Sequence, residues 1–297
     1  MIRNQLKTIR FLAVLAAAGG LACISPAAVH AGVVFEHLLK IDSPARILDT
    51  AASPDGRMIF TLTPGEVIIY SGTDGKEIDR IAVEKRFTRL TPLEESRLIL
   101  FGDDPPGLDI LKVDRIYDIN TANRPFRGDE NAKAVIAVFD DYECPYCSRL
   151  ESRFDMLVKE YAGQVKLVIK HFPIPSHRNA YPAAMAALAA ANQEKFWEFH
   201  AALLQNHAAL DDQKIREIAD SLKLDRERFE KDLSSPQSHE RILQDMQEGQ
   251  EMDVRGTPTV FLNGKKLDNR EFRKLPDMIN EILAKEKPAA AVPKDTP

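Results

Sequence analysis

The stretch that decides the fold is AVIAVFDDYECPYC, residues 134–147, which combines a short apolar run with two cysteines. The run from Ala134 to Phe139 has the length of a buried strand, and the segment from Ser148 to Tyr161 favours a helix. Cys144 and Cys147 therefore lie where a strand passes into the N-terminus of a helix.

This position predicts the chemistry of the two thiols. Unpaired backbone N–H groups and the positive end of the helix dipole favour a thiolate over a thiol. Cys144 comes first and is the candidate nucleophile, with a lowered pKa. Cys147 lies one turn further into the helix, where it can close a disulfide with Cys144 while being shielded from large substrates. It is the candidate resolving thiol.

A cysteine pair can also bind zinc or form a purely structural disulfide. A zinc site needs further ligands, and the chain has no second cysteine pair and no His-x3-His spacing. A purely structural disulfide stays open as an alternative, although closing so short a loop removes little entropy from the unfolded chain. Redox exchange is the favoured interpretation.

A second motif, GTPTVFLNG at residues 256–264, predicts a turn that enters a strand, with a hairpin at Asn263-Gly264. In this order the two motifs resemble the thioredoxin superfamily, specifically its DsbA-like branch. The resemblance implies that Pro258 is cis and packs against the active-site disulfide, and that Thr257 lines the sulfurs. With Cys144 and Cys147 these are the expected catalytic residues, and no cofactor or metal is expected.

Between the two motifs the sequence predicts a strand at Gln164 to Ile169, parallel to the first, and then a long helical block. DsbA-like proteins resemble this chain in carrying a helical insertion there, at about residues 176–253. The expected fold is α/β: a thioredoxin fold over 132–285 with an inserted helical domain, preceded by a small mainly-β N-terminal domain. His177 and His200, in segments that also resemble this family, are interpreted as structural. Helices are predicted at 181–191, 194–205, 211–222, 225–233, 238–253 and, closing the domain, 269–283.

The chain departs from the family at the position of a buried acid, six residues before the first cysteine, where it has Val138. We expect solvent or a nearby loop carboxylate, Asp140 or Glu143, to take the proton of Cys147. The alternative is that both acids are solvated loop residues with no part in the proton transfer. Tyr146 adds no positive charge between the cysteines. The Cys144 pKa is therefore predicted to be lowered mainly by the helix terminus, to about 3.5–7.5.

Residues 32–120 have a different sequence pattern. Short runs in which apolar and polar residues alternate are separated by Asp-Gly turns, and this predicts β structure. Two similar units, marked by Arg57 and Arg97 at a spacing of 40 residues, resemble WD40- or YVTN-type propeller blades. Two blades cannot close a propeller and leave open strand edges. A homodimer formed through this segment is one hypothesis that follows. Residues 121–131 are predicted to be a connector.

The first 31 residues resemble a secretory signal peptide, with basic residues, an apolar run and a small-residue cleavage pattern ending at Ala31. A retained membrane anchor and a lipoprotein signal at Cys23 are alternatives. Cleavage leaves Cys144 and Cys147 as the sole cysteines and takes the net charge from −5 to −8. This charge gives no reason to expect nucleic-acid binding. Residues 286–297 are predicted to be a disordered tail.

The predicted function is that of an exported, periplasmic or otherwise secreted, thiol:disulfide oxidoreductase acting on exported protein substrates. The favoured direction is that of a dithiol oxidase, which the helical insertion supports and which needs a membrane or soluble redox partner to reoxidise it. A dimeric isomerase or reductase is the first alternative, because the extra N-terminal domain favours it. A non-catalytic binding or scaffold protein that uses the β-rich domain is the second alternative.

Overall fold

The computed structural model describes residues 36–94 and 96–285. The predictions of a signal peptide, of a lipoprotein cysteine and of a C-terminal tail lie outside these residues. The chain divides into two compact units between Thr88 and Arg89. The predicted functional boundaries, at 120 and 132, stay predictions.

The first unit contains a four-stranded antiparallel sheet in the order β1-β2-β3-β4. Gly56 has a positive φ of 70° and turns the chain into β2, as the Asp-Gly pair predicts. Leu62, Val67 and Ile68 are completely buried in this unit. An antiparallel four-stranded meander is what one propeller blade contains, but the propeller resemblance itself stays a prediction. The strands are β1 (Asp49–Ala52), β2 (Met58–Thr63), β3 (Glu66–Ser71) and β4 (Glu77–Ala82).

A second sheet follows in the order β5-β6-β7. Its strands are β5 (Phe87–Leu93), in which the second unit begins, β6 (Arg97–Asp103) and β7 (Pro106–Lys112). The edge strand β7 leaves Leu108 and Ile110 exposed.

The main sheet of the second unit has five strands in the order β12-β11-β9-β10-β8. The central strand β9 pairs in parallel with β10 and antiparallel with β11. The parallel pair confirms the predicted strand-helix-strand unit, because helix α1 connects β9 to β10. The strands are β8 (Phe126–Gly128), β9 (Ala134–Asp140), β10 (Val165–His171), β11 (Thr259–Leu262) and β12 (Lys265–Lys266).

Five α-helices lie between β10 and β11, which confirms the predicted helical insertion. The side chains of Asp211, Asp225 and Ser235 cap three of them by accepting a backbone N–H, as short polar residues do at N-termini. The helices of the unit are α1 (Pro145–Glu160), α2 (Ala180–Ala191), α3 (Phe196–Gln205), α4 (Asp212–Ser221), α5 (Arg226–Asp232), α6 (Pro236–Glu251), α7 (Asn269–Arg273) and α8 (Leu275–Ala284).

Two sequence-based predictions need correction. The segment 121–131, predicted to contain no element, includes β8, which pairs with β10. A strand of three residues is too short to give an alternating pattern. The single closing helix predicted at 269–283 is two helices that meet at Lys274. Pro276 has no N–H, and its ring would clash with a carbonyl of the preceding turn, so the first helix cannot continue through it.

Candidate active site

Cys144 is the N-cap residue of α1 and has an extended backbone conformation. Pro145 occupies the first helical position, where its missing N–H costs no hydrogen bond and its fixed φ suits the helix. The Cys144 N–H donates to the carbonyl of Asp141 at 3.1 Å, which closes the turn between β9 and α1. Cys147 lies in the first turn of α1 and is buried in the main apolar core. Both cysteines are free thiols.

The pKa of the Cys144 thiol is lowered to about 5, within the range predicted from the sequence. The largest cause is a hydrogen bond from the Cys147 thiol; partial burial opposes it, and backbone N–H groups of Cys147 and Tyr146 add smaller contributions. The prediction that the helix terminus is the main cause is therefore wrong. The neighbouring thiol contributes most because its S–H donates directly to the charged sulfur.

Cys147 shows the opposite behaviour, with a pKa raised above the ordinary value for a thiol. Burial is the largest cause, followed by the hydrogen bond to Cys144 and the negative charge of Asp140. Cys147 therefore keeps its proton at the pH where Cys144 is a thiolate. Cys144 is therefore suited to attack a disulfide, and Cys147 is suited to react only after it has lost its proton.

The Gly-Thr-Pro loop meets the cysteines at the start of β11. The bond between Thr257 and Pro258 is cis, as the family resemblance implies. The antiparallel pairing of Thr259 with Phe139 brings this loop to the end of β9 that carries the cysteines. The Cys144 Sγ lies 3.2 Å from the carbonyl oxygen of Thr257. The hairpin that follows β11 is formed by Asn263 and Gly264, both with positive φ, as predicted.

The structure distinguishes the two candidate proton acceptors. Asp140 is buried, and its carboxylate is among the groups that raise the pKa of the Cys147 thiol. Burial is the largest cause that raises the pKa of Asp140. Glu143 points elsewhere, because its carboxylate accepts from the backbone N–H of Asn179 at 2.6 Å and from the Asn179 side chain at 3.2 Å. Val138, at the family's acid position, is buried among apolar side chains.

Asp141 is a residue of the site that sequence reasoning missed. Its buried carboxylate accepts backbone N–H groups from Glu143 at 2.8 Å and from Ile174 at 2.7 Å, and it lies 2.9 Å from Nδ1 of His177. These contacts fix the loop before Cys144 against the segment that follows β10. Two successive aspartates at the end of an apolar strand were the signal available in the sequence.

A second set of residues that sequence reasoning did not connect begins at Tyr142, which belongs to the same core cluster as Cys147. The hydroxyl of Tyr142 is 3.0 Å from Nδ1 of His200, and Nε2 of His200 is 3.0 Å from the carboxylate of Glu151. His200 is completely buried. Arg127 lies 3.9 Å from Glu151 and stacks on the ring of Trp197, 4.1 Å from its centroid. The chain of contacts therefore runs from the loop of the cysteines to a half-exposed arginine.

Among the described residues, no group of three or more His, Cys, Asp or Glu side chains could hold a metal ion. In the same part of the chain, every helix is too short or too polar to cross a membrane. Neither finding extends to the residues outside the described ranges.

A family model described as thioredoxin matches residues 120–281, which is more than half of the chain. The chain belongs to the thioredoxin family. The family predicted from the sequence is thereby confirmed, and the enzyme class predicted with it, a thiol:disulfide oxidoreductase, agrees with this match.

Curated relatives of this thioredoxin-family chain include sodium/proton antiporters. It is 32% identical over 206 residues to the Na(+)/H(+) antiporter NhaA 3 of Salinispora tropica, and 31% identical over 166 residues to NhaA 1 of a Mycobacterium species. These matches cover 69% and 55% of this chain but only 30% and 26% of the antiporters. A match to so small a share of a longer protein assigns no transport activity to this chain.

Solved structures with the same fold include the thiol-disulfide exchange protein α-DsbA2 from Wolbachia pipientis. The TM-score is 0.50 at 22% identity, over 54% of this chain and 88% of the other. BdbD from Bacillus subtilis in its oxidised form has a TM-score of 0.49 at 22% identity, over 58% and 98% of the two chains. The first of these similarities confirms the predicted thioredoxin fold.

Proposed function

We propose that this thioredoxin-family chain catalyses thiol–disulfide exchange on protein substrates, with Cys144 as nucleophile and Cys147 as resolving thiol. One observation carries the proposal: the N-cap residue of a helix has a thiol with its pKa lowered to about 5, beside a partner thiol that keeps its proton. The cis-proline loop supports it, because Thr257 places its carbonyl 3.2 Å from the Cys144 sulfur. This contact joins the loop of Pro258 to the nucleophile. No cofactor takes part.

The exchange proceeds through a mixed disulfide. In the reductive direction, the Cys144 thiolate attacks one sulfur of a substrate disulfide, and the other substrate sulfur leaves as a thiolate. Cys147 then loses its proton, its thiolate attacks the Cys144 sulfur, and the second substrate sulfur leaves with the electron pair of the broken bond. The Cys144–Cys147 disulfide has formed, and the substrate disulfide has been reduced to two thiols. Oxidation of a substrate is the reverse sequence.

Asp140 is the proposed proton acceptor for Cys147. In the free dithiol two groups act on the Cys147 thiol and raise its pKa, the Cys144 sulfur and the Asp140 carboxylate. In the mixed disulfide the Cys144 sulfur carries no charge, so Asp140 becomes the better acceptor. The proton is thus held until Cys144 has reacted. In the oxidative direction Asp140 returns the proton to the departing Cys147.

We place the oxidase direction first. A thiolate that is stable at neutral pH is a good leaving group, and its stability favours the reduced form, which makes the disulfide oxidising. The isomerase or reductase direction is the alternative. Alkylating free thiols in intact cells separates the two, because an oxidase is recovered with Cys144 and Cys147 joined and an isomerase with both free.

The activity is tested with a reduced, unfolded peptide that contains two cysteines. The oxidised protein is expected to transfer one disulfide per molecule and Cys144→Ser none. With the same peptide in its disulfide form, Cys147→Ser is expected to accumulate a mixed disulfide, because Cys144 attacks that bond, one peptide sulfur leaves as a thiolate, and no second thiol resolves the product. Ser148→Ala is the matched control, because it changes a neighbouring helix residue and no thiol. Equal transfer by the parent protein and Cys144→Ser would refute the proposal and favour the binding or scaffold function.

Export and assembly are further parts of the proposal. The signal-like sequence at residues 1–31 and a thiol pair suited to an oxidising compartment support an exported location. Sequencing the N-terminus of the protein recovered from the periplasm or medium tests cleavage after Ala31. The open strand edges of the β-rich region support a homodimer. A monomer by light scattering at tens of micromolar contradicts it.

A further inference from the structure

A cavity of about 510 Å³ lies in the helical insertion, between α2, α4 and the turn that joins α5 to α6. Its lining is mainly apolar: Met185 and Ile215 are buried there, and Pro182 and Leu233 are half-buried. Ligand sites in proteins measure roughly 300–1,000 Å³ and have mostly apolar walls. This apolar cavity therefore has the size and the lining of a binding site, and none of its lining residues takes part in the exchange described above.

The polar groups of the lining show which kind of occupant it suits. Arg216 donates from Nε and Nη2 to the carboxylate of Glu230, at 2.7 and 3.3 Å. The Tyr181 hydroxyl and Nδ1 of His239 are hydrogen-bonded to each other. Asp212 lies in the first turn of α4, where the helix dipole stabilises its carboxylate, and this charge disfavours an anion. A charged ligand would have to compete with these contacts, so the lining favours a neutral, apolar occupant.

The apolar cavity is connected to the loop of the nucleophile. A second cavity, of about 500 Å³, adjoins the first, because Pro182 and Asp212 line both. Asn179 also lines the second cavity, and its backbone N–H donates to the carboxylate of Glu143 at 2.6 Å. Glu143 directly precedes Cys144 in the chain. The two cavities therefore lead from the residue next to the nucleophile to the apolar lining.

This continuity favours a substrate polypeptide over a free small molecule. A chain attached to the Cys144 sulfur as a mixed disulfide extends from there by about 3.3 Å per residue, so residues a few positions from its cysteine lie along the neighbouring surface. Exported domains that depend on disulfides do not fold well before those bonds form, and their apolar side chains are then exposed. Such a chain offers the neutral, apolar group that the lining favours.

We propose that the apolar cavity is a specificity site for protein substrates, which takes one large apolar side chain near the reacting cysteine of the substrate. The inference rests on the proposed function and adds no chemical step to the exchange. Burial of that side chain holds the substrate while the mixed disulfide forms. A substrate with such a residue is therefore captured faster than one without it.

The test uses pairs of reduced, unfolded peptides with two cysteines, which differ only in having Leu or Ala at one position. A series of pairs moves this position along the peptide. The rate of disulfide transfer from the oxidised protein is measured in a single turnover. At the position that reaches the cavity, the Leu peptide is expected to react about tenfold faster than its Ala partner. Equal rates within every pair would overturn the inference.

Ser234→Trp places a large side chain in the cavity, because Ser234 belongs to its lining. The ratio of the Leu rate to the Ala rate is expected to fall from about ten to about one. The matched control is Ser221→Trp, the same substitution at the exposed last residue of α4, which lines neither cavity. It is expected to keep the parent ratio.

Two results separate this inference from the proposed function. A folded Ser234→Trp that keeps the parent ratio overturns the inference, since a preference for Leu then arises elsewhere. Failure of the proposed function looks different, because the parent protein then oxidises neither peptide of any pair.

A measurement on the unaltered protein covers the case in which Ser234→Trp does not fold. The methyl signals of Met185 and Ile215, both in the lining, are followed by NMR during titration with the best Leu peptide, its cysteines replaced by Ser. They are expected to shift with this peptide and not with its Ala partner. Signals that shift with benzene but with neither peptide would make the cavity a site for small molecules and overturn the inference.

Discussion

Two buried carboxylates near the end of β10 show how one residue type serves two purposes. Asp245 on α6 is completely buried and is surrounded by positive charge, with Arg124 Nε at 2.7 Å and Lys170 Nζ at 2.6 Å. It also accepts the backbone N–H of His171 at 3.0 Å. Asp140 is buried to a similar degree but has a thiol as its partner and no cation paired with it in the described residues.

The difference lies in charge compensation. A buried carboxylate with two cations and a backbone donor has its charge compensated and serves to join elements, here α6, β10 and the segment before β8. A buried carboxylate without such compensation has its pKa raised and can exchange a proton with a neighbour. The partners, and not the depth of burial, separate the structural acid from the candidate catalytic one.

The largest effect is expected from Asp245→Asn. This change leaves Arg124 and Lys170 buried with less negative charge, which costs about 3–5 kcal/mol of the free energy of unfolding. Urea denaturation measures it. The exposed pair of Lys214 and Glu217 supplies the control, because Glu217→Gln is expected to cost less than about 1 kcal/mol. Alkylation of Cys144 in folded Asp245→Asn is expected to keep its parent midpoint near pH 5, the value of the Cys144 pKa.

Asp140→Asn is expected to act on the exchange reaction instead of lowering the stability of the fold. The resolving step slows about 100-fold at pH 7, because the proton acceptor is lost, while the rate of Cys144 alkylation stays at the parent value. An excess of a small aromatic disulfide measures both phases, because it releases one thiol when Cys144 attacks and a second when Cys147 resolves the mixed disulfide. An unchanged second phase would show that solvent takes the Cys147 proton.

The stability of Asp140→Asn gives an independent check with a definite sign. Because burial raises the pKa of Asp140 in the folded protein, the parent loses stability as pH rises from the unfolded pKa through the folded one. Asn carries no charge, so the variant is expected to be more stable than the parent above this window. The difference shrinks as pH falls through it. Thermal unfolding of reduced protein over pH measures the effect, and a variant less stable than the parent at pH 7 would contradict the uncompensated carboxylate.

The parts of this site that sequence predicts are those with local signals. A short apolar run before Cys-Pro-Tyr-Cys fixes β9 and the start of α1, and the family resemblance supplies the cis bond at Pro258. Three helices of the insertion, α4, α5 and α6, are predicted within a few residues, and each has its capping side chain beside it in sequence. Pro276 is also a local signal, because a proline at this position predicts the division of the closing helix into two.

The remaining parts depend on contacts that sequence does not show. Tyr142 and His200 are 58 residues apart in sequence, and no periodicity pairs them. The choice between Asp140 and Glu143 required knowing which carboxylate is buried beside Cys147 and which bonds Asn179. The main cause of the Cys144 pKa, a hydrogen bond from Cys147, depends on a side-chain orientation that only the folded core fixes.

The smallest effect is expected at Glu143, a third carboxylate, half-buried beside Cys144 in sequence. Its carboxylate holds Asn179 through two hydrogen bonds, so Glu143→Gln replaces one acceptor oxygen by a donor and is expected to cost about 1 kcal/mol of stability. Neither phase of the disulfide assay is expected to change. Asn179→Ala removes part of the same contact, so the two substitutions should be less than additive in a double-mutant cycle. A second phase slowed by Glu143→Gln as strongly as by Asp140→Asn would move the acceptor from the buried carboxylate to the loop, because only a change in proton transfer acts on that phase alone.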